Sequence, residues 1–174
     1  MKGLIHCRAG NFRMLCHKKF FRLPRLAAEI AREKKAGKTI VLANGGFDLL
    51  HIGHIRYLQQ AKAKGDILVV ALNSDSSLKK LKGASRALID EQGRVLIISA
   101  LACVDYVTLF AETTVELVLL AITPHFHCKG SDYTIDSIPE RAVVRSYDGK
   151  MAIVGGDKVR STSLVIEKIK ELYG

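Results

Sequence analysis

Two histidines three residues apart, His51 and His54, close the segment Gly45-Gly46-Phe47-Asp48-Leu49-Leu50-His51-Ile52-Gly53-His54. A β-branched, apolar run precedes the segment and a helical pattern follows it. Imidazoles at i and i+3 near a helix N-terminus share one side of its first turn, beside unpaired backbone N–H groups and the positive end of the dipole. Such a constellation suits a polyphosphate. The ring N–H groups can donate to phosphate oxygens, and Gly53 lets the ligand approach the backbone. A histidine pair in a helix is ordinarily solvated or structural; its place after a glycine-rich strand exit argues for a ligand. Asp48 has two readings, orienting a histidine or capping the turn.

A second group of residues opens the last helical stretch. Ser161, Thr162 and Ser163 offer hydroxyls and backbone N–H groups, either to another part of a polyphosphate or as a plain helix cap, and Arg160 stands directly before them. Lys82, followed by Gly83, ends the run Lys79, Lys80, Lys82. It is either a mobile cation above phosphate oxygens or one of several solvated lysines. His125 and His127 would share a strand face, but no third ligand has fitting spacing for a metal, and none is assigned.

These residues need elements to position them, and the chain supplies a regular alternation. A helix is expected over 26–35, after Pro24 and stopped by Gly37. Strands follow at 39–43, 67–72, 104–110, 126–129 and 151–154. Between them lie helices at 53–64, 76–81, 91–102, from Val115 (with Thr113 and Glu116 as a capping box), 137–145 and 162–172. This order predicts an α/β fold: a single doubly wound, Rossmann-like domain of about five parallel strands with helices on both faces. Open parallel sheets bind ligands beyond the carboxyl ends of their strands, which is where the loops at 45–54, 73–75, 130–133 and 155–163 fall.

Length and charge set the boundaries. The 174 residues suit one domain. The net charge of +10 is concentrated in residues 1–38, which hold 11 Lys/Arg against Glu29 and Glu33. The remaining 136 residues carry 16 Lys/Arg against 15 Asp/Glu, and the chain is read as a basic arm at 1–22 followed by a domain at 23–174. A nucleic-acid-binding fold would carry its basic stripe across the domain, so nucleic acid is not the expected partner. The apolar runs fall far short of the roughly 18 residues that span a bilayer. Cys7, Cys16, Cys103 and Cys128 are irregularly spaced, which suggests reduced thiols and a cytoplasmic setting.

With these residues in view, the chain resembles the nucleotidyltransferases that carry a His-x-Gly-His motif. Within them it is most similar to the stand-alone D-glycero-β-D-manno-heptose 1-phosphate adenylyltransferases. The similarity runs from about Lys38 to the C-terminus. Its marks are residues 44–54, Asn73-Ser74-Asp75, Leu81-Lys82-Gly83 with Ser85-Arg86, Arg94, Lys129-Gly130-Ser131-Asp132-Tyr133, Ile138-Pro139-Glu140 and Arg160-Ser161-Thr162-Ser163. Gly46 stands where that group often has Cys or Val, and Ser131 where a second Gly is usual.

The resemblance implies transfer of AMP from ATP to the sugar 1-phosphate, releasing pyrophosphate, with Mg2+ delivered by the nucleotide. It implies His51, His54, Lys82 and Arg160 as catalytic residues. It implies Gly45, Gly46, Phe47, Asp48, Arg94, Lys129, Gly130, Ser161, Thr162 and Ser163 as nucleotide-binding residues beside the two histidines, and Asn44, Asn73, Arg86 and Asp132 as candidates for the sugar phosphate. A homodimer is a further expectation from similar enzymes. The alternatives are a cytidylyltransferase acting on glycerol 3-phosphate or another small phosphate, and a nucleic-acid-binding module using the basic arm.

Overall fold

The computed structural model describes residues 18–83, 87–156 and 162–174. Five strands, β1 (Ile40–Gly45), β2 (Ile67–Asn73), β3 (Tyr106–Phe110), β4 (Phe126–Gly130) and β5 (Lys150–Val154), form one parallel sheet in the order β3-β2-β1-β4-β5. The helices are α1 (Leu23–Lys35), α2 (Ile52–Lys62), α3 (Asp75–Lys82), α4 (Glu91–Ser99), α5 (Glu116–Ile122), α6 (Arg141–Arg145) and α7 (Thr162–Tyr173). The expected doubly wound architecture is present.

Alternation along the strands divides the core into two layers. Val41, Ala43, Leu68, Val70 and Leu72 point to one face, where Tyr57, Leu58 and Ala61 of α2 and Val95 and Ile98 of α4 cover them. Ile40, Leu42, Val69 and Ala71 point to the other, under Leu26 and Ile30 of α1, Val118, Leu119 and Ile122 of α5 and Val144 of α6. A strand buried on both faces reads as a continuous apolar run, as residues 67–72 do.

Some local expectations are corrected. Thr113 and Glu116 do not cap α5: its N-cap is Val115, without a side-chain bond. The stretch 137–145 is a 3-10 turn at Ile135–Ser137 followed by the short α6, because Pro139 interrupts the pattern. Helix α3 runs one residue past the expected end at 81, so Lys82 is its last residue.

Residues 18–22 lie against the β3 edge. The Phe21 N–H donates to the Val107 carbonyl, the Val107 N–H donates to the Lys19 carbonyl, and the Lys19 ammonium donates to the Leu101 carbonyl. Phe21 packs edge-on against Tyr106 at 5.4 Å. This end of the basic arm therefore covers a strand edge that would otherwise offer unpaired backbone groups. Residues 1–17 lie outside the described residues.

Candidate active site

The cleft begins where two strands part. β1 pairs with β4 at only three positions, the last being Ala43 with Cys128. Beyond it, β1 stays paired with β2 as far as Gly45 and Leu72, and β4 with β5 as far as Gly130 and Val154. This is the switch point of the sheet, where strand order reverses and the carboxyl ends open a crevice. On one face the buried Tyr57 hydroxyl bridges the fork, donating to the Cys128 carbonyl at 2.8 Å. Burial raises the Tyr57 phenol pKa far above its ordinary value, so it remains a donor. On the other face His127 Nε2 meets Asn44 Oδ1 at 3.1 Å.

A cleft of about 690 Å3 opens above the fork. Its middle is the turn from β1 into α2. Phe47 takes φ +47 there, with its ring buried against Tyr57 and His54 at centroid distances of 6.1 and 5.2 Å. That left-handed conformation is uncommon for an aromatic residue and persists because packing holds the ring. A Cβ on Gly46 would come within 2.8 Å of Leu78 Cδ2, so a larger residue requires Leu78 to move.

His51 and His54 cap their own helix. His51 Nδ1 accepts from the Gly53 N–H at 3.2 Å, His54 Nδ1 accepts from the His51 N–H at 3.4 Å, and the rings stack at 3.8 Å. With each Nδ1 accepting, the neutral ring carries its proton on Nε2 and becomes a fixed donor. Burial, then the His51 ring and Lys82, push the His54 pKa down to about 4; burial also lowers that of His51. Both rings are therefore neutral N–H donors near pH 7, beside the α2 N-terminus.

The cleft has two arms. Toward β2 and β3 it is lined by Asn73, Leu78, Lys82, Phe110, Thr113 and Thr114; toward β4 and β5, by Lys129, Gly130, Asp132, Tyr133, Glu140, Thr162 and Ser163. Lys129 is nearly enclosed, 3.1 Å from Glu140 Oε1 and 5.3 Å from the Tyr133 ring centre. Asn44, Gly45, Gly46, Phe47, Asp48, His51 and His54 form the middle. An elongated ligand with a central polyphosphate fits this layout, the histidines facing the phosphates and the arms holding the ends.

A profile of the cytidylyltransferase-like family matches residues 42–174. The chain belongs to the cytidylyltransferase-like family. It is 48% identical over 149 residues to the bifunctional protein HldE of Geobacter sulfurreducens, and 47% over 148 residues to that of Pelobacter propionicus. These matches cover 86% and 85% of this chain but only 30% of either relative, so the chain spans under a third of their length. Among solved structures, the lipopolysaccharide core biosynthesis protein of Thermoplasma volcanium is 31% identical, with TM-score 0.58 over 67% of this chain and 94% of that one. Pantoate-β-alanine ligase of Francisella tularensis, 14% identical, aligns with TM-score 0.57 over 77% of this chain and 65% of its own, a likeness of fold.

Not every residue expected at the site faces the cleft. Arg94 is fully buried beneath it: its guanidinium donates to the carbonyls of Gly46, Asn73 and Ile89 and pairs with Asp75 at 2.7 Å. It ties the exits of β1 and β2 together and is not placed to meet a nucleotide. Asp48 lines the cleft, but its carboxylate accepts from the backbone N–H groups of Leu88 and Ile89, so it neither orients a histidine nor caps its own turn. Arg86, Arg160 and Ser161 lie outside the described residues.

The cleft lining also includes Tyr57 and Thr114, which the sequence did not single out, Thr113, expected only as a cap, and Tyr133 and Glu140, present only as marks of the resemblance without an assigned role. Tyr57 lies one helical turn after His54, and Thr113 and Thr114 follow the end of β3. Both placements were signals available from spacing.

Proposed function

We propose that this domain transfers AMP from ATP to D-glycero-β-D-manno-heptose 1-phosphate, releasing pyrophosphate, as a cytoplasmic step toward a lipopolysaccharide or another surface glycan. The observation that carries the reading is the pair of neutral, mutually capping histidines in the middle of a two-armed cleft. It is supported by the similarity to the HldE proteins and to the lipopolysaccharide core biosynthesis protein of Thermoplasma volcanium.

The attacking group is a phosphate oxygen of the sugar phosphate, anionic near neutral pH because its second pKa is about 6. No general base is required. Catalysis is alignment of that oxygen against the α-phosphate and neutralisation of charge as the pyrophosphate leaves. His51 and His54 donate from Nε2, the α2 N-terminus adds its dipole, and Lys82, exposed at the end of α3, brings a positive charge to the rim. Thr162 and Ser163 at the start of α7, with Ser161 and Arg160 before them in sequence, are proposed to hold the rest of the triphosphate. Magnesium would enter with ATP and neutralise phosphate oxygens.

The test is pyrophosphate release with Mg2+, crossing ATP and CTP against heptose 1-phosphate, glycerol 3-phosphate and a hexose 1-phosphate. Turnover with ATP and heptose 1-phosphate is expected. Turnover with CTP and not ATP overturns the adenylyl assignment, and another acceptor overturns the sugar.

A further inference from the structure

His127 is fully buried on β4, and the mechanism above makes no use of it. It stands opposite Leu42 in the ladder, and Asn44, two residues further along β1, lies on the same sheet face just beyond the fork. Its Nε2 meets Asn44 Oδ1 at 3.1 Å, whereas its Nδ1 has no hydrogen-bond partner among the described residues. An unpaired buried N–H is rarer in proteins than an unpaired acceptor. The proton therefore belongs on Nε2, where it is used, and the lone pair on Nδ1, where it is tolerated. Burial, then the nearby Lys129 charge, lower the His127 pKa to about 3, so the ring stays neutral.

This arrangement fixes the carboxamide of a cleft residue. With Oδ1 accepting from His127, the amide cannot flip, and its Nδ2 amino group is left for the cleft that Asn44 lines. We infer that His127 is a positioning residue: by holding Asn44 Oδ1 from below, it presents Asn44 Nδ2–H2 as a preset donor to a phosphate oxygen in the cleft. That oxygen belongs either to ATP or to the sugar phosphate, and the inference rests on phosphate ligands binding here.

The experiment compares His127→Leu, His127→Gln, Asn44→Ala and the His127→Leu/Asn44→Ala double variant. Each is titrated calorimetrically with ATP and, separately, with heptose 1-phosphate. Leu matches the ring's bulk but cannot donate; Gln places an N–H near the Nε2 position. His127→Leu is expected to keep or raise the melting temperature, since it removes a buried unpaired nitrogen, yet to weaken one ligand about five- to ten-fold, the scale of one neutral hydrogen bond. Asn44→Ala should weaken the same ligand by the same factor, the double variant no further, and His127→Gln should restore the affinity. The ligand affected identifies the phosphate.

Unchanged affinity for both ligands in His127→Leu overturns the inference, as does a loss in the double variant that multiplies the two single losses. Should His127→Leu fail to fold, His127→Met, of similar length and also without a donor, takes its place with the same expectations. Because the readout is affinity, absence of turnover with every substrate pair would defeat the proposed reaction without touching this result.

Discussion

Replacing Arg94 by methionine removes a cation that no solvent reaches and leaves three backbone carbonyls, the buried one of Asn73 and the partly buried ones of Gly46 and Ile89, without their donor. Each orphaned acceptor costs about 1–3 kcal/mol, and breaking a buried charge network typically costs about 3–5 kcal/mol in total, since such losses do not add. The lower figure is favoured because Asp75, about a third exposed, can turn to water. For a domain of this size each kcal/mol lowers Tm by about 2–4 °C, so a fall of about 10 °C is expected. Arg94→Lys should recover little of it, because one ammonium cannot span acceptors contributed by three separate segments. Differential scanning calorimetry gives the shift. Calorimetric ATP binding at a temperature where both proteins are folded separates the roles. If Arg94→Lys melts with the wild type and yet loses ATP affinity, the guanidinium touches nucleotide and the positioning argument is wrong.

Other expectations follow from the same geometry. His54→Ala should lower kcat by roughly 10² or more, the scale of losing one transition-state donor, and unchanged turnover would remove the histidine pair from the mechanism. Tyr57→Phe should cost about 1 kcal/mol in urea unfolding by freeing the Cys128 carbonyl; no change would show that the phenol does not hold the fork. The pKa values of His54 and His127, lowered to about 4 and about 3, give a pH signature. Below about 6.5 the unfolded chain takes up protons that the folded rings refuse, so stability is complete above that pH and declines as pH falls toward 4. Thermal melts from pH 4.5 to 7 should show the decline, and His127→Leu should flatten it; an identical slope would place the effect elsewhere. Glu140→Gln weakens the partner of the enclosed Lys129 ammonium and should lower stability by about 1–3 kcal/mol, read by thermal melts, with an unchanged melt refuting a structural ion pair.

The alternation of strands and helices and the histidine motif were both legible in the residues, because each depends on local periodicity or on one short segment. The roles of Arg94 and Asp48 were not. A charged side chain in a motif looks like a ligand contact, and only the fold shows that the Arg94 guanidinium is spent on three carbonyls and the Asp48 carboxylate on two amides. Thr113 and Glu116 have the spacing of a capping box, yet α5 starts without it and Thr113 lines the cleft. Glu140 was visible only as part of a pattern, since its partner Lys129 lies on another element. His127 was weighed as a metal ligand from its spacing to His125, but the residue that matters to it, Asn44, is on a neighbouring strand.

The parting of β1 and β4 also bears on how the protein moves. The sheet consists of a three-strand portion and a two-strand portion, joined along a seam of three paired positions, with one side-chain bridge on each face. A ligand lying across the cleft touches both portions and acts as a staple over the seam. Such a ligand should slow hydrogen exchange of the β1 and β4 amides more than that of the fully paired β1–β2 ladder, and its release means undoing the staple before the halves can relax.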